Sequence, residues 1–364
     1  MRILQVNTET GFRGGERQLL LLCHGLRERG IDVRVAVRKG AELEARCLDQ
    51  GIAVLPLRQA SPWDPRAVSR LRMALSAGEA DLIHAHASHA HTAAASALRS
   101  LGAGHRGAPP LLVSRRVDFP IGKPPLNRFK YGRVVSRFLA ISDAVAGVLA
   151  AGGVAPGRIT VVRSAVPPLP PPTRSRAVLR GALGVGDGEL LALTTAALVD
   201  HKDHPNAVRA MALVRSGVRL IVAGEGRERA AIEQYIRDED VEARVTLLGQ
   251  RDDVPDLLRA ADLYVAASKL EGLNTALMDA AGAGLPAVGT VAGGIPEVIA
   301  DGETGLLVPR SDPAALAAAI DRLAKDGPLR HTLGAAAASR AREAFSVDRL
   351  VDRTLSVYRE VLPG

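Results

Sequence analysis

Two carboxylates, Glu271 and Asp279, stand eight positions apart in the stretch SKLEGLNTALMDAAGAG that begins at Ser268. A strand is expected over 262–267 and a helix after it, with Leu273, Asn274 and Thr275 as its first residues. Amide N–H groups at a helix start have no intrahelical partner, so phosphate or sugar oxygens can bind there. Glu271, beside Gly272, could accept hydrogen bonds from hydroxyls. A capped helix with a solvated Asp would account for the two carboxylates alone. It does not account for Gly293-Gly294-Ile295-Pro296-Glu297 and Asp301-Gly302-Glu303-Thr304-Gly305 following in order. A glycosidase acid/base pair fits poorly: eight residues on one helix, at about 1.5 Å each, separate the pair by about 12 Å, whereas such pairs need roughly 5–9.5 Å.

Other stretches could carry chemistry nearer the start. In TGFRGGERQ (10–18), Gly14 and Gly15 would let the backbone approach a phosphate, with a helix beginning near Glu16. The dinucleotide fingerprint Gly-x-Gly-x-x-Gly is missing, which weighs against a nicotinamide oxidoreductase. SRRVDFP (114–120) ends another strand, and Arg115 and Arg116 could bind an acidic acceptor or a phosphate, or simply be solvated. DLIHAHASHAH (81–91) holds His84, His86, His89 and His91, four of the nine histidines. His84 and His86 alternate along a strand and share a face. Ser88 is expected to cap the next helix, with His89 and His91 in its first turns. No Cys or carboxylate lies nearby to complete a zinc shell, so no metal site is expected. GKPPLNRFKYGRVVSRF (122–138) mixes Lys123, Arg128, Lys130, Arg133 and Arg137 with Phe129, Tyr131 and Phe138. It reads either as a membrane-surface face or as a helix packed on its own sheet.

These residues must be positioned by something. Short apolar runs (RILQVN, DVRVAV, AVLPL, DLIHAH, LLVSR, RFLAIS, ITVVRSAV) alternate with helical patterns near 15–29, 65–77, 90–101 and 142–151, which means βαβ units and a parallel sheet. VPPLPPPTRS (166–175) can continue neither element and marks a stiff linker, 167–175. The alternation then restarts with ELLALTTAAL, VRLIVAG, RVTLLG, DLYVAAS, PAVGT and GLLVP. The tail from 312 to 361 reads as all helical. The expected architecture is two doubly wound Rossmann-like α/β domains, 1–166 and 176–345, with 346–364 a helix packing back toward the first. A ligand would sit in the cleft where the two domains face each other.

Composition agrees with that architecture. The chain has 364 residues, enough for two domains, with 47% apolar and 24% charged side chains and only 3% aromatic. No apolar run is long enough for a membrane span, and MRILQVNTE reads as a first strand rather than a signal peptide. Cys23 and Cys47 form no disulfide or zinc pattern, so a cytoplasmic setting is expected. Net charge is +8 but uneven: residues 1–166 carry 24 Lys and Arg against 12 Asp and Glu. The first half therefore suits an anionic partner such as a membrane surface, or is merely a solubilising Arg-rich surface.

SKLEGLNTALMDAAGAGLPAVGT…GGIPEVIADGETGLLV resembles the donor-site signature of the retaining family 4 glycosyltransferases, which have the GT-B fold. The likeness extends to the Gly-rich turn after strand one, ISDAV (141–145), HKDHP (201–205) and GQRDDVPDLLRAADLYVAAS (249–268). The resemblance implies a nucleotide-sugar donor bound mainly by the second domain, near Gly272, Leu273, Asn274 and Thr275. Glu271 would hold the transferred sugar, Lys202 the diphosphate and position 279 the ribose. There the family has a second Glu; Asp279 is one methylene shorter. Gln250 and Arg251 would lie near the base and Gly15 near a phosphate. His86 would face the cleft on its acceptor side, as would Arg115 and Arg116, near which relatives often place a His facing the reaction centre; His84, His89 and His91 read as polar filler. The family usually has an Arg at the position of Ala197, so one cation is missing. No cofactor or metal is implied, and no nucleic acid. The expected activity is retaining hexosyl transfer to a cell-envelope glycan or lipid-linked acceptor, in polysaccharide or lipopolysaccharide synthesis, by a peripheral protein at the inner face of the cytoplasmic membrane. Domain closure would be part of the cycle. The alternatives are a catalytically weak nucleotide- or lipid-binding module, or another GT-B enzyme such as an epimerase or phosphorylase.

Overall fold

The computed structural model describes residues 1–101, 108–122 and 130–362. The chain forms two compact units, Met1–Ala165 with Val347–Gly364, and Val166–Ser346. In the first unit the elements run β1 (Arg2–Asn7), α1 (Gly14–Glu28), β2 (Asp32–Arg38), α2 (Glu42–Asp49), β3 (Ala53–Leu57), α3 (Pro65–Ser76), β4 (Leu82–Ala85), α4 (Ser88–Ser100), β5 (Leu111–Arg115), β6 (Val135–Ala140), α5 (Asp143–Ala151) and β7 (Ile159–Val161). The strands form one parallel sheet in the order β3-β2-β1-β4-β5-β6-β7. Val, Ile and Leu dominate the central strands, as a sheet covered by helices on both sides requires, with Gln5, Asn7 and His84 as buried polar exceptions. Pro56 cannot donate to a ladder, and β3 is an edge strand.

The second unit contains α6 (Arg176–Ala182), β8 (Leu190–Thr195), α7 (His204–Leu213), β9 (Val218–Ala223), α8 (Arg229–Asp238), β10 (Val245–Gly249), α9 (Val254–Ala260), β11 (Leu263–Ala266), α10 (Thr275–Gly282), β12 (Ala287–Thr290), α11 (Ile295–Val298), β13 (Gly305–Val308), α12 (Pro313–Lys325) and α13 (Gly327–Ala344). Its sheet is also parallel, ordered β10-β9-β8-β11-β12-β13. The Pro-rich stretch belongs to this unit. Thr173 N–H bonds Asp256 at 3.2 Å and the Thr173 hydroxyl donates to the same carboxylate, which ties the stretch to α9.

The last helix, α14 (Val347–Val361), returns to the first unit. Its Leu350, Val351, Leu355, Val357 and Tyr358 are buried in one core with Leu19, Leu22, Cys23 and Leu26 of α1 and Ile3 of β1. Gly25 is where α1 lets α14 approach: a Cβ there would lie 2.4 Å from Val351 Cγ2. Arg29 donates to Asp348 at 2.8 Å and to Asp352 at 3.0 Å beside this contact.

Several boundaries differ from the sequence reading. The helix after HAHAS starts at Ser88, so Ala87 rather than Ser88 occupies the cap position and no side chain caps it. Asn274 is itself a cap, so α10 begins at Thr275 and Leu273 precedes the helix. Glu271 is therefore not on the helix of Asp279, and a separation computed along one helix does not apply to the pair. Helices α2 and α6 were not expected, because each is short and lacks a long apolar stripe. Lys123, Arg128 and Phe129 of the basic stretch lie outside the described residues. Arg133 lies in the turn and Arg137 and Phe138 lie within β6, so the described part past Tyr131 is not helical.

Candidate active site

In both sheets the strand order reverses beside a central strand, between β1 and β4 and between β8 and β11. Loops at the carboxyl ends of such strands splay apart and leave room for a ligand. Gly15 and His86 follow β1 and β4, and Lys202 and Glu271 follow β8 and β11, whereas Arg115 ends β5, Arg116 comes just after it and Arg251 follows the edge strand β10.

In the second unit the loop after β11 carries Ser268 to Asn274, and a 3-10 turn after β8, Asp200–Lys202, carries the lysine. Backbone bonds tie the loop after β11 to its neighbours: Lys269 N–H donates to His201 O at 2.8 Å, and Gly294 N–H, from the loop after β12, donates to Glu271 O at 3.0 Å. Position 294 must be Gly, because a Cβ there would lie 2.4 Å from Gly272 O. The result is an ion pair between Lys202 Nζ and Glu271 Oε2, with both side chains mostly buried at 17% and 12% exposure. Ser268 Oγ reaches the same carboxylate oxygen at 3.3 Å. Asn274 holds a left-handed backbone (φ 59°), which Asn tolerates better than most residues. Its side chain accepts from Leu277 N–H at 3.0 Å, filling one orphan amide of α10 and leaving Thr275 and Ala276 N–H as the helix's leading donors. Asp279 is buried one turn further along α10. Tyr264 of β11 lies near both carboxylates, and burial first, then their charge, pushes its hydroxyl up to about 12. This unit thus gathers Lys202, Glu271, Gly272, Leu273, Asn274 and Thr275 around a helix start. Arg251 is taken up in a two-pronged bond to Asp253 at 2.7 and 2.6 Å, so its guanidinium is already engaged. At position 197 the backbone carbonyl of Ala197 contacts His204 Nε2 at 3.1 Å.

In the first unit the histidines do not converge on one point. His84 is buried, with Nδ1 at 2.7 Å from Tyr358 Oη and Nε2 at 2.8 Å from Ser114 Oγ. Far from polar filler, it ties β4 to β5 and to α14, and burial pulls it down to about 3. His91 is also buried, edge-on to Tyr131 and Phe138, and burial likewise pulls it to about 3. His89 is exposed. His86 is buried with Nε2 at 2.6 Å from Gln5 Oε1; burial first, then the charges of His84 and Arg116, hold it well below its usual value. Among the described residues no three His, Cys, Asp or Glu side chains are grouped to hold a metal ion.

Gly15 is in the first turn of α1, with Arg116 Cδ 3.6 Å from where its Cβ would be. Glu16 accepts from Asn7 Nδ2 at 2.9 Å and from Arg13 N–H at 3.0 Å. Arg116 is pulled down to about 10 by burial, with Glu16 acting in the opposite sense; it stays cationic at neutral pH. Arg115 donates to Tyr131 Oη at 2.7 Å and stands apart from that cluster. Gln5, Asn7, Glu16 and Tyr358 were missed by the sequence reading. The available signal was polar Gln5 and Asn7 inside RILQVN, a strand that is otherwise apolar after Arg2.

A family model described as "Glycosyltransferase Family 4" matches residues 12–168, and one described as "Glycosyl transferases group 1" matches residues 175–340. The chain belongs to glycosyltransferase family 4. The chain is 31% identical over 191 residues to N-acetyl-alpha-D-glucosaminyl L-malate synthase of Bacillus anthracis, a match covering 52% of this chain and 50% of that protein. The chain thus spans about half the length of that relative. It is 27% identical to the putative glycosyltransferase EpsD of Bacillus subtilis, over 91% of this chain and 90% of EpsD. Its fold is that of GT-B: it superposes on Anabaena Alr3699/HepE, crystallised with UDP and glucose, with a TM-score of 0.86 at 21% identity, covering 99% of this chain and 100% of that one. No helix among the described residues is long and apolar enough to cross a membrane.

Proposed function

We propose that this glycosyltransferase moves a hexose from a nucleoside-diphosphate sugar to a hydroxyl of a glycan or lipid-linked acceptor, with retention at the anomeric carbon and without a metal ion. The observation that carries the reading is the Lys202–Glu271 pair at the start of α10, inside a chain whose two halves match the two family models. An ammonium and helix-start N–H groups suit a diphosphate. A carboxylate beside them suits sugar hydroxyls. Without donor the two groups neutralise each other, and a donor would exchange that internal pair for phosphate on Lys202 and hydroxyls on Glu271. UDP in the HepE structure supports a uridine nucleotide as the first donor to test. In the transfer the bond from C1 to the phosphate oxygen breaks and a bond from C1 to the acceptor oxygen forms. The acceptor proton passes to the departing phosphate oxygen on the same face. The protein contributes positioning and charge stabilisation. The basic first half is the reason to favour a cell-envelope acceptor at an anionic membrane surface.

A calorimetric titration with UDP, GDP, ADP and CDP, with and without EDTA, tests the donor side. One nucleotide should bind, indifferent to EDTA, and Lys202→Ala and Asp279→Ala should each weaken it about tenfold or more, the loss of a charge-assisted contact of about 1.5–3 kcal/mol. No binding by any nucleotide would end the donor-site reading. Binding without turnover would instead favour a non-catalytic module, for which Ala197 is the specific motive.

A further inference from the structure

At the carboxyl end of the first sheet, Arg116 has no partner adequate to its charge. Its Nε is buried without a hydrogen bond. Among the described residues its one hydrogen bond is a long one, 3.5 Å from Nη1 to Ser164 Oγ, and no carboxylate lies within ion-pair distance. Glu16, the nearby compensating charge, already has its oxygens on Asn7 and on the Arg13 amide. Arg116 as a whole is half-buried, and a guanidinium partly withdrawn from water without a paired anion is costly.

The neighbouring histidine supplies the complementary group. Gln5 Nε2 donates to Tyr358 Oη at 3.0 Å, which fixes the amide so that Gln5 Oε1 faces His86 Nε2. An oxygen there accepts, so Nε2 of His86 carries the proton. Nδ1 of the neutral ring is then a bare acceptor, and it is buried without a partner. The two groups share a face. Side chains alternate along strands, so His84 pairs with His86 and Ser114 with Arg116; the bond between His84 and Ser114 puts all four on one side. That side also carries the first turn of α1, through Gly15 against Arg116.

A cation able to grip an oxyanion with two N–H groups, helix-start amides, and one lone pair without a donor together describe a particular ligand. We propose that this strand-end site takes the acceptor, and that the acceptor carries an anionic group, carboxylate or phosphate, beside its reacting hydroxyl. Arg116 holds the anion and His86 Nδ1 accepts the hydroxyl's hydrogen bond, orienting the oxygen for transfer. This rests on the transferase reading and deepens it.

The test separates the two. Nucleotide binding is first measured by calorimetry on the wild type, Arg116→Gln, Arg116→Lys and His86→Phe. Each protein, saturated with nucleotide, is then titrated with L-malate, with D-inositol 3-phosphate, with inorganic phosphate, with a polyprenyl phosphate in detergent micelles, and with uncharged inositol. Wild type should bind at least one anion tenfold or more tightly than inositol. Arg116→Gln should abolish the preference, Arg116→Lys should keep part of it, and His86→Phe should weaken the hydroxy-acid or inositol phosphate without changing the response to inorganic phosphate. All three variants should bind nucleotide like the wild type. Binding of only the micellar phosphate would identify the anion as lipid-borne; binding of the soluble acids would identify a small metabolite. The proposal is overturned if no anion binds better than inositol, or if Arg116→Gln loses nucleotide affinity, which would put Arg116 on the donor phosphate. A wild type that binds no nucleotide would instead overturn the transferase reading.

Discussion

At the scale of residues, the site works by pairs of groups that restrain one another. Lys202 and Glu271 are each the other's partner while no donor is bound. Replacing Glu271 by Gln therefore has opposite effects on two measurements. If Glu271 holds the transferred sugar as proposed, turnover should fall by two orders of magnitude or more, because an oriented carboxylate is lost. Affinity for the bare nucleoside diphosphate should hold or rise, because Lys202 no longer has an internal competitor; calorimetry beside a rate assay checks both. The type of Glu271 was legible from sequence, as was its company of glycines, but its backbone setting was not. Asn274 adopts a left-handed conformation and takes the cap position, and that choice depends on the Leu277 amide it finds there. Nor could the role of His84 be read, since its partner Tyr358 lies 274 positions away.

At the scale of elements, the contact of α14 with α1 can be weighed directly. In an isolated helix Gly25→Ala would gain about 1 kcal/mol from propensity. Here the added methyl would meet Val351 Cγ2 at 2.4 Å, and overpacking costs typically about 1–3 kcal/mol. Packing should win: Gly25→Ala lowers the denaturant midpoint, and adding Val351→Ala recovers part of the loss, with a coupling visible in a double-mutant cycle. Tyr358→Phe, which removes the hydroxyl bonded by Gln5 and His84, should cost about 1–3 kcal/mol, since it leaves buried polar groups unpaired. The alternation of strands and helices was legible because apolar runs and helical periods differ in the sequence itself. Helices α2 and α6 were not, because their few buried positions, such as Leu43 and Cys47 in α2 and Leu179 in α6, give no period to follow.

At the scale of the whole molecule, the first unit concentrates buried neutral histidines. His84, His86 and His91 are all held below the ordinary imidazole value, against His204 in the second unit. Above about pH 6.5 both folded and unfolded chains leave these rings neutral, and they do not affect stability. As pH falls from about 6.5 toward about 3, the unfolded chain binds protons that the folded chain refuses. Each ring then costs up to about 1.4 kcal/mol per pH unit. Trp63, the single tryptophan, lies in the first unit. Its fluorescence should report a thermal transition that drops steeply between pH 6 and 4, ahead of the transition seen for the rest of the chain by circular dichroism. The first unit also takes its last helix from beyond the second. A ribosome makes β1 to β7 first and α1 can pack on its own sheet, yet the part of that core which α14 closes stays open until Leu350 to Tyr358 emerge. About 180 residues lie between, and at about 5–20 residues per second that is a delay of roughly ten to forty seconds. The second unit, written later in the message, is thus the one able to finish folding first, and a chaperone that shields α1 during that interval would have a defined target.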